Sequence, residues 1–155
     1  MDVSQITDYL YIASRVKEEN IEDIRKLDPR LVISMILPTR PPKELEEPPI
    51  SVLWLRTFDF PLFPIPVKTL NRGVESALPV IQHGHRVLVF CQAGRHRSVA
   101  MASCILISMG YSADEAMQLI SQKREVANPY IWYIQKQIRN FATDWNKHHP
   151  EDVVT

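Results

Sequence analysis

The stretch Val87-Leu-Val-Phe-Cys-Gln-Ala-Gly-Arg-His-Arg-Ser98 decides how the rest of the chain is read. Val87 to Phe90 are four consecutive apolar residues, the mark of a short buried strand. Cys91 stands at its end, and Ala93 and Gly94 make a small-residue turn. Arg97 and Ser98 then open an apolar run, Val99 to Met109, long enough for a helix. Strand, tight loop and helix start in this order leave backbone N–H groups of the loop and the first helical turn without partners. Such a nest binds phosphate-like anions, and the helix dipole adds to the attraction. The same field favours thiolate over thiol, and the thiolate is the nucleophilic form of cysteine. Arg97 brings a planar fork that can grip two phosphate oxygens at once. The competing reading is a structural cysteine ahead of a helix that happens to carry Arg. A reactive sulfur, an anion cradle and a bidentate clamp within seven residues weigh against it.

The chain has 155 residues, enough for one domain with a substantial core, and residues 1–155 are read as a single catalytic domain. Lys plus Arg and Asp plus Glu both number 18, so the overall charge points to no nucleic-acid partner. Two cysteines, Cys91 and Cys104, make neither a disulfide framework nor a metal motif. A single activated thiol suits a reducing compartment, so a cytoplasmic location is expected. The N-terminal residues lack the pattern of a signal peptide, and no apolar run reaches spanning length. The expectation is therefore a monomer with no stable membrane association.

Ile6 to Ala13 alternates polar and apolar around two tyrosines, as an opening strand does. Ile21, Ile24 and Leu27 give helical spacing over Glu18 to Leu27, and Asp28-Pro29 ends that helix. Leu31 to Leu37 is nearly all apolar, the composition of a central strand covered on both faces. Five prolines between Pro38 and Pro49 exclude regular structure and predict an ordered surface loop, with Arg40 and Lys43 read as solvated. Val52 to Phe58 reads as the next strand, followed by a stiff apolar loop, Asp59 to Pro66. Asp59 stands at its start, where a strand's carboxyl end presents reactive groups. It is the aspartate best placed to serve as an acid, the alternative being a turn or capping role.

Pro66 suits the first position of a helix whose face is Leu70, Val74, Ala77 and Ile81, with a kink expected at Pro79 and a stop at Gly84. The helix from Val99 is apolar almost all round, so it should be buried, with Cys104 a small core residue. Ser112 and Glu115 form a capping box for the next helix. Asn128-Pro129 breaks before a last helix from Tyr130 to about Trp145, and residues 146–155 are expected to fray. Neither His83 with His85 nor His148-His149 makes a metal site.

The pattern Cys91-x-x-Gly94-x-x-Arg97-Ser98 resembles the phosphate loop of cysteine-dependent protein phosphatases, in their small dual-specificity branch. The opening strand and Asp59, 32 positions before Cys91, are similar to that family as well. The phrase from Asn128 to Ile138 is also similar, although the family has Pro before Asn. A further departure is Phe90, where the family carries His before the nucleophile. The resemblance implies an α/β fold, a central, mostly parallel sheet of four or five strands flanked by helices. It also implies a phosphomonoester hydrolase that needs no metal or other cofactor.

In that reading Cys91 attacks phosphorus, Gln92, Ala93, Gly94, Arg95, His96 and Arg97 bind the phosphate oxygens, and Asp59 protonates the leaving oxygen. Ser98, by resemblance, donates to the sulfur. A disulfide between Cys91 and Cys104, of the kind some thiol phosphatases use, belongs to the same resemblance. The expected substrates are proteins or peptides carrying phosphotyrosine, phosphoserine or phosphothreonine. Arg95 and His96 add cationic capacity at the pocket mouth, so phosphoinositides or other polyphosphorylated small molecules are the alternative substrates. Two further classes compete. One is a weakly active phosphate-binding module; the other is a different thiol enzyme, a sulfurtransferase or an arsenate reductase, which would not need Asp59.

Overall fold

The computed structural model describes residues 1–150. Five strands form one sheet: β1 (Val3–Gln5), β2 (Leu10–Ala13), β3 (Pro29–Ser34), β4 (Ser51–Trp54) and β5 (Arg86–Phe90). Their order is β1-β2-β5-β3-β4, and every pairing is parallel except that of β1 with β2. This is the mostly parallel α/β sheet that the family resemblance implies, with the apolar runs at 31–37 and 87–90 supplying two of its inner strands. Val87, Leu88, Val89 and Phe90 sit on the central strand and are buried. Buried on both faces, such strands read as continuous apolar runs rather than alternating ones.

The helices are α1 (Ile21–Leu27), α2 (Val67–Gln82), α3 (Arg97–Ser108), α4 (Ala113–Lys123) and α5 (Trp132–His148). The crossovers β2–α1–β3 and β4–α2–β5 run in opposite directions along the sheet. Right-handed connections therefore put α1 and α2 on opposite faces. Every residue of α3 is buried, in keeping with its mostly apolar composition, because α2, α4 and α5 surround it on the side away from β2 and β5. Ser112 Oγ accepts from the Glu115 N–H at 3.1 Å and Glu115 Oε1 accepts from the Ser112 N–H at 3.0 Å, closing the expected capping box.

Several boundaries differ from the sequence expectation. The opening strand is shorter: Ile6 to Tyr9 turns, and both Ile6 and Thr7 N–H groups donate to the Leu10 carbonyl. Residues before it, Val3–Gln5, form a separate edge strand that the alternation at 6–13 did not reveal. β4 ends at Trp54, so Leu55 to Phe58 already belongs to the loop that carries Asp59. Pro66 caps α2 from outside, with extended backbone, rather than serving as its first helical residue. α2 runs through Pro79 to Gln82; the Glu75 carbonyl, which Pro79 cannot serve, belongs to an exposed residue open to water. Gly84, at φ 77°, then takes the left-handed turn that stops it.

The proline-rich segment carries no strand or α-helix, and Pro41 and Leu45 anchor it to the core. A short 3-10 turn over Lys43–Glu46 buries Leu45 completely. At the other end, α5 continues to His148, so residues 146–148 are helical rather than frayed. The remainder of that expected tail, 151–155, lies outside the described residues.

Candidate active site

The loop after β5 is defined by where its carbonyls go. The Gln92 carbonyl accepts from the Arg15 N–H at 3.2 Å, and the Arg95 carbonyl from the Asn128 N–H at 2.9 Å. The Ala93 and Gly94 carbonyls accept from the Arg124 guanidinium at 3.2 and 2.7 Å. The His96 carbonyl accepts from the Ala100 N–H at 2.8 Å, in the first turn of α3. With five successive carbonyls drawn outward, the N–H groups of residues 92–96 are left over. Among the described residues none of them donates to the protein. Five free donors converging at a helix N-terminus form an anion nest.

Gly94 permits this path. Its φ is 62°, and a Cβ there would stand 2.8 Å from the Ala13 carbonyl oxygen. Arg124 holds it. That side chain is 2% exposed, and besides the two loop carbonyls it bonds Asp2, with NH1–Oδ1 3.0 Å and NH2–Oδ2 2.7 Å, and the Ser4 hydroxyl at 3.0 Å. The same ion pair lowers the Asp2 carboxyl from its ordinary value, chiefly through the hydrogen bond from Arg124. Nothing in the sequence marked Arg124, which sits in a charged run beside Lys123 and Glu125.

Cys91 lies at the base of the nest, buried, with its Sγ 3.1 Å from Ser98 Oγ. The hydroxyl can therefore donate to a thiolate at that sulfur. Arg97 is also buried, and its NH1 donates to the Met35 and Thr57 carbonyls at 3.0 and 2.7 Å. One corner of the guanidinium is thus fixed by the scaffold, and Nε is a buried donor without a protein partner among the described residues. Thr57 is held in turn, its Oγ1 donating to the Met35 carbonyl at 2.8 Å.

Asp59 is brought to the same loop. Its Oδ1 accepts from the Tyr133 hydroxyl at 2.6 Å and its Oδ2 lies 2.9 Å from His96 Nδ1. Burial pushes the Asp59 carboxyl up, but the hydrogen bonds from Tyr133 and His96 outweigh it and leave the group below its ordinary value. Tyr133 is pushed up to about 12, by burial first and by Asp59 next. His96, read as a phosphate-loop side chain at the pocket mouth, places Nδ1 against Asp59. Arg95 is exposed beside it. Tyr133, like Arg124, escaped the sequence reading, because a tyrosine on an amphipathic helix resembles any core aromatic.

Phe90 is 2% exposed and makes no side-chain hydrogen bond; its backbone carbonyl accepts from the Met35 N–H at 2.9 Å. The loop is shaped without help from that position, by Arg15, Arg124 and Asn128. Phe90 floors a neighbouring cleft of about 620 Å³ that Arg15, Lys17 and Arg40 share with Glu18 and Glu19. Arg40 is exposed, as a solvated loop charge would be, and lines this cleft. Cys104 is a free thiol fully buried within α3, and burial pushes it well up, as befits a core residue. Among the described residues no group of His, Cys, Asp and Glu is arranged to hold a metal.

The profile of one family, described as "Dual specificity phosphatase, catalytic domain", matches residues 9–143. Phosphatidylglycerophosphatase and protein-tyrosine phosphatase 1 of Rattus norvegicus is 31% identical over 110 residues, 70% of this chain and 55% of that protein. The chain spans about half the length of the curated relatives it matches. Human DUSP28 superposes with a TM-score of 0.82 at 20% identity, over 94% of this chain and 99% of that one. PTPMT1 in complex with PI(5)P does so with a TM-score of 0.83 at 21% identity, over 94% and 97%. At such identities the superpositions establish the fold, and the profile match adds the family. Its span takes in the nest, Asp59 and Tyr133, and on that match the chain belongs to the dual specificity phosphatase catalytic-domain family.

Proposed function

We propose that the chain hydrolyses phosphomonoesters through a cysteinyl-phosphate intermediate. The observation that carries this reading is the capture of five carbonyls, which leaves a run of free N–H donors immediately after a buried cysteine. The Cys91 thiolate attacks phosphorus in line; the S–P bond forms as the P–O bond to the leaving group breaks. The nest and the Arg97 guanidinium hold the equatorial oxygens, where charge gathers in the transition state. Asp59, protonated, gives its proton to the departing oxygen. In the second step its carboxylate takes a proton from the attacking water, the S–P bond breaks, and Ser98 stabilises the returning thiolate.

Phosphotyrosine and phosphoserine or phosphothreonine of proteins are the first substrate reading. A second, a phosphoinositide or other polyphosphorylated headgroup, is favoured by exposed Arg95 and by Arg15 and Arg40 in the cleft beside the loop. The rat relative's name couples a lipid and a protein phosphatase activity. A reducing compartment such as the cytoplasm suits a free thiol at the centre of the mechanism.

The test is hydrolysis of an aryl phosphate across about pH 4 to 8, with Cys91→Ser and Asp59→Asn alongside the parent. Cys91→Ser should lose turnover by at least about three orders of magnitude while still binding phosphate analogues. Asp59→Asn should fall by roughly 10²- to 10³-fold and lose the decline on the basic side of the profile. Undiminished turnover in Cys91→Ser would refute the intermediate. Analogue binding with no turnover by the parent would leave a binding module.

A further inference from the structure

Among the described residues eleven large apolar side chains are exposed, and seven of them, Val126 included, lie on two loops and the first residue of α5. Phe58, Phe60, Leu62 and Phe63 surround Asp59 on one; Tyr130 and Trp132 lie ahead of and at the start of α5. The loops meet at the site itself, where Tyr133 bonds Asp59 and the Trp132 ring stands edge-on to Tyr133, 5.8 Å between centroids. The three phenylalanines pack on one another, with Phe63 5.3 Å from Phe58 and 6.1 Å from Phe60, so they stay together in solvent. Leu62 is 76% exposed. Pro61, Pro64 and Pro66 stiffen the segment, so little order has to be imposed on docking.

Basic residues flank the apolar segment. Phe60 to Val67 contains no charged residue, while exposed Arg56 and Lys68 flank it and exposed Arg95 lies at the centre. None of the three basic residues forms an ion pair among the described residues. The acids on these two loops are Asp59, held by Tyr133 and His96, and Glu125.

We propose that the rim is a membrane-docking surface and that the substrate is a phosphorylated lipid presented by an anionic bilayer. This rests on the phosphomonoesterase reading above and takes the second of its substrate classes. Aromatic and leucine side chains on a short rigid loop suit the boundary between headgroups and acyl chains. Arg56 and Lys68 are drawn to the negative surface potential of the same bilayer. The nest then faces the headgroup layer, where a phosphate is found. A protein partner fits less well, because interfaces of that kind ring their apolar centre with hydrogen bonds, and Phe, Leu and Pro supply almost no side-chain donors or acceptors here.

The test is co-sedimentation of the whole chain with phosphatidylcholine vesicles that contain or lack phosphatidylglycerol. Hydrolysis of a soluble aryl phosphate is followed in parallel. The parent should sediment with the phosphatidylglycerol vesicles. The double variant Leu62→Asp/Phe63→Asp should bind them about tenfold more weakly or worse, with aryl-phosphate turnover unchanged. Arg56→Gln/Lys68→Gln should lose binding to the anionic vesicles without affecting turnover. Equal sedimentation of the parent and the Leu62→Asp/Phe63→Asp variant, or no sedimentation of the parent, would overturn the proposal. A raised KM for phosphopeptides in that double variant, with no vesicle binding by the parent, would assign the rim to protein partners. Loss of aryl-phosphate hydrolysis in the parent strikes the phosphatase reading instead and is read separately from binding.

Discussion

The two loops that build the site are held in opposite ways. The phosphate loop, residues 91–97, is fixed by its main chain: five carbonyls are tied down, two of them by a fully buried arginine. The acid loop, residues 58–66, is apolar and largely exposed, and at its reactive end it is held through one side chain, Asp59, by Tyr133 and His96. A nest for a fixed anion has to be preorganised, because donors that must reorganise during reaction lose much of their effect. A group that gives and then retrieves a proton has to serve two steps. A half-exposed carboxylate held by two hydrogen bonds suits that better than a buried one. Rigidity is placed where charge gathers, and accessibility where the proton moves.

The contrast can be broken most severely at Arg124. Arg124→Met leaves the Ala93 and Gly94 carbonyls without their donors, which should cost about 3 kcal/mol in urea unfolding. Phosphate-analogue affinity should fall with it. Asp2→Asn, on the exposed side of the Arg124 ion pair, should cost only about 1 kcal/mol; equal losses would show that the ion pair, rather than the carbonyl contacts, holds the loop.

Gly94→Ala forces a side chain into a left-handed position against the Ala13 carbonyl. A loss of about 2 kcal/mol is expected, with a matching loss of analogue binding measured by calorimetry.

Tyr133→Phe should act on the acid loop alone. The hydroxyl helps hold Asp59 below its ordinary value, so its removal raises that value. Turnover needs the protonated form, and the declining basic limb should therefore move to higher pH while stability changes little. An unmoved limb would separate Asp59 from that part of the profile.

How much was legible follows the same division. Cys91, Gly94, Arg97 and Ser98 lie within eight residues, and a strand–turn–helix converts that spacing directly into geometry. Asp59 could be singled out because it follows an apolar run, yet its contacts come from residues 37 and 74 positions away. Arg124 and Tyr133 left no trace, since a charged residue at a helix end and a tyrosine on an amphipathic helix are ordinary. The same holds for strand limits: β4 stops at Trp54, where pairing with β3 ends, although the segment read as a strand continues to Phe58.

By itself the sequence determined the α/β alternation, the central strand, the buried helix and the order of groups in the phosphate loop. These depend on hydrophobic period and on neighbours along the chain. Only the tertiary structure decided which cation turns the loop carbonyls outward, which hydroxyl steadies the acid, and that two apolar loops share one rim. Those outcomes join residues 30 positions apart, as Gly94 and Arg124 are, or 74, as Asp59 and Tyr133 are, and packing rather than local preference selects them.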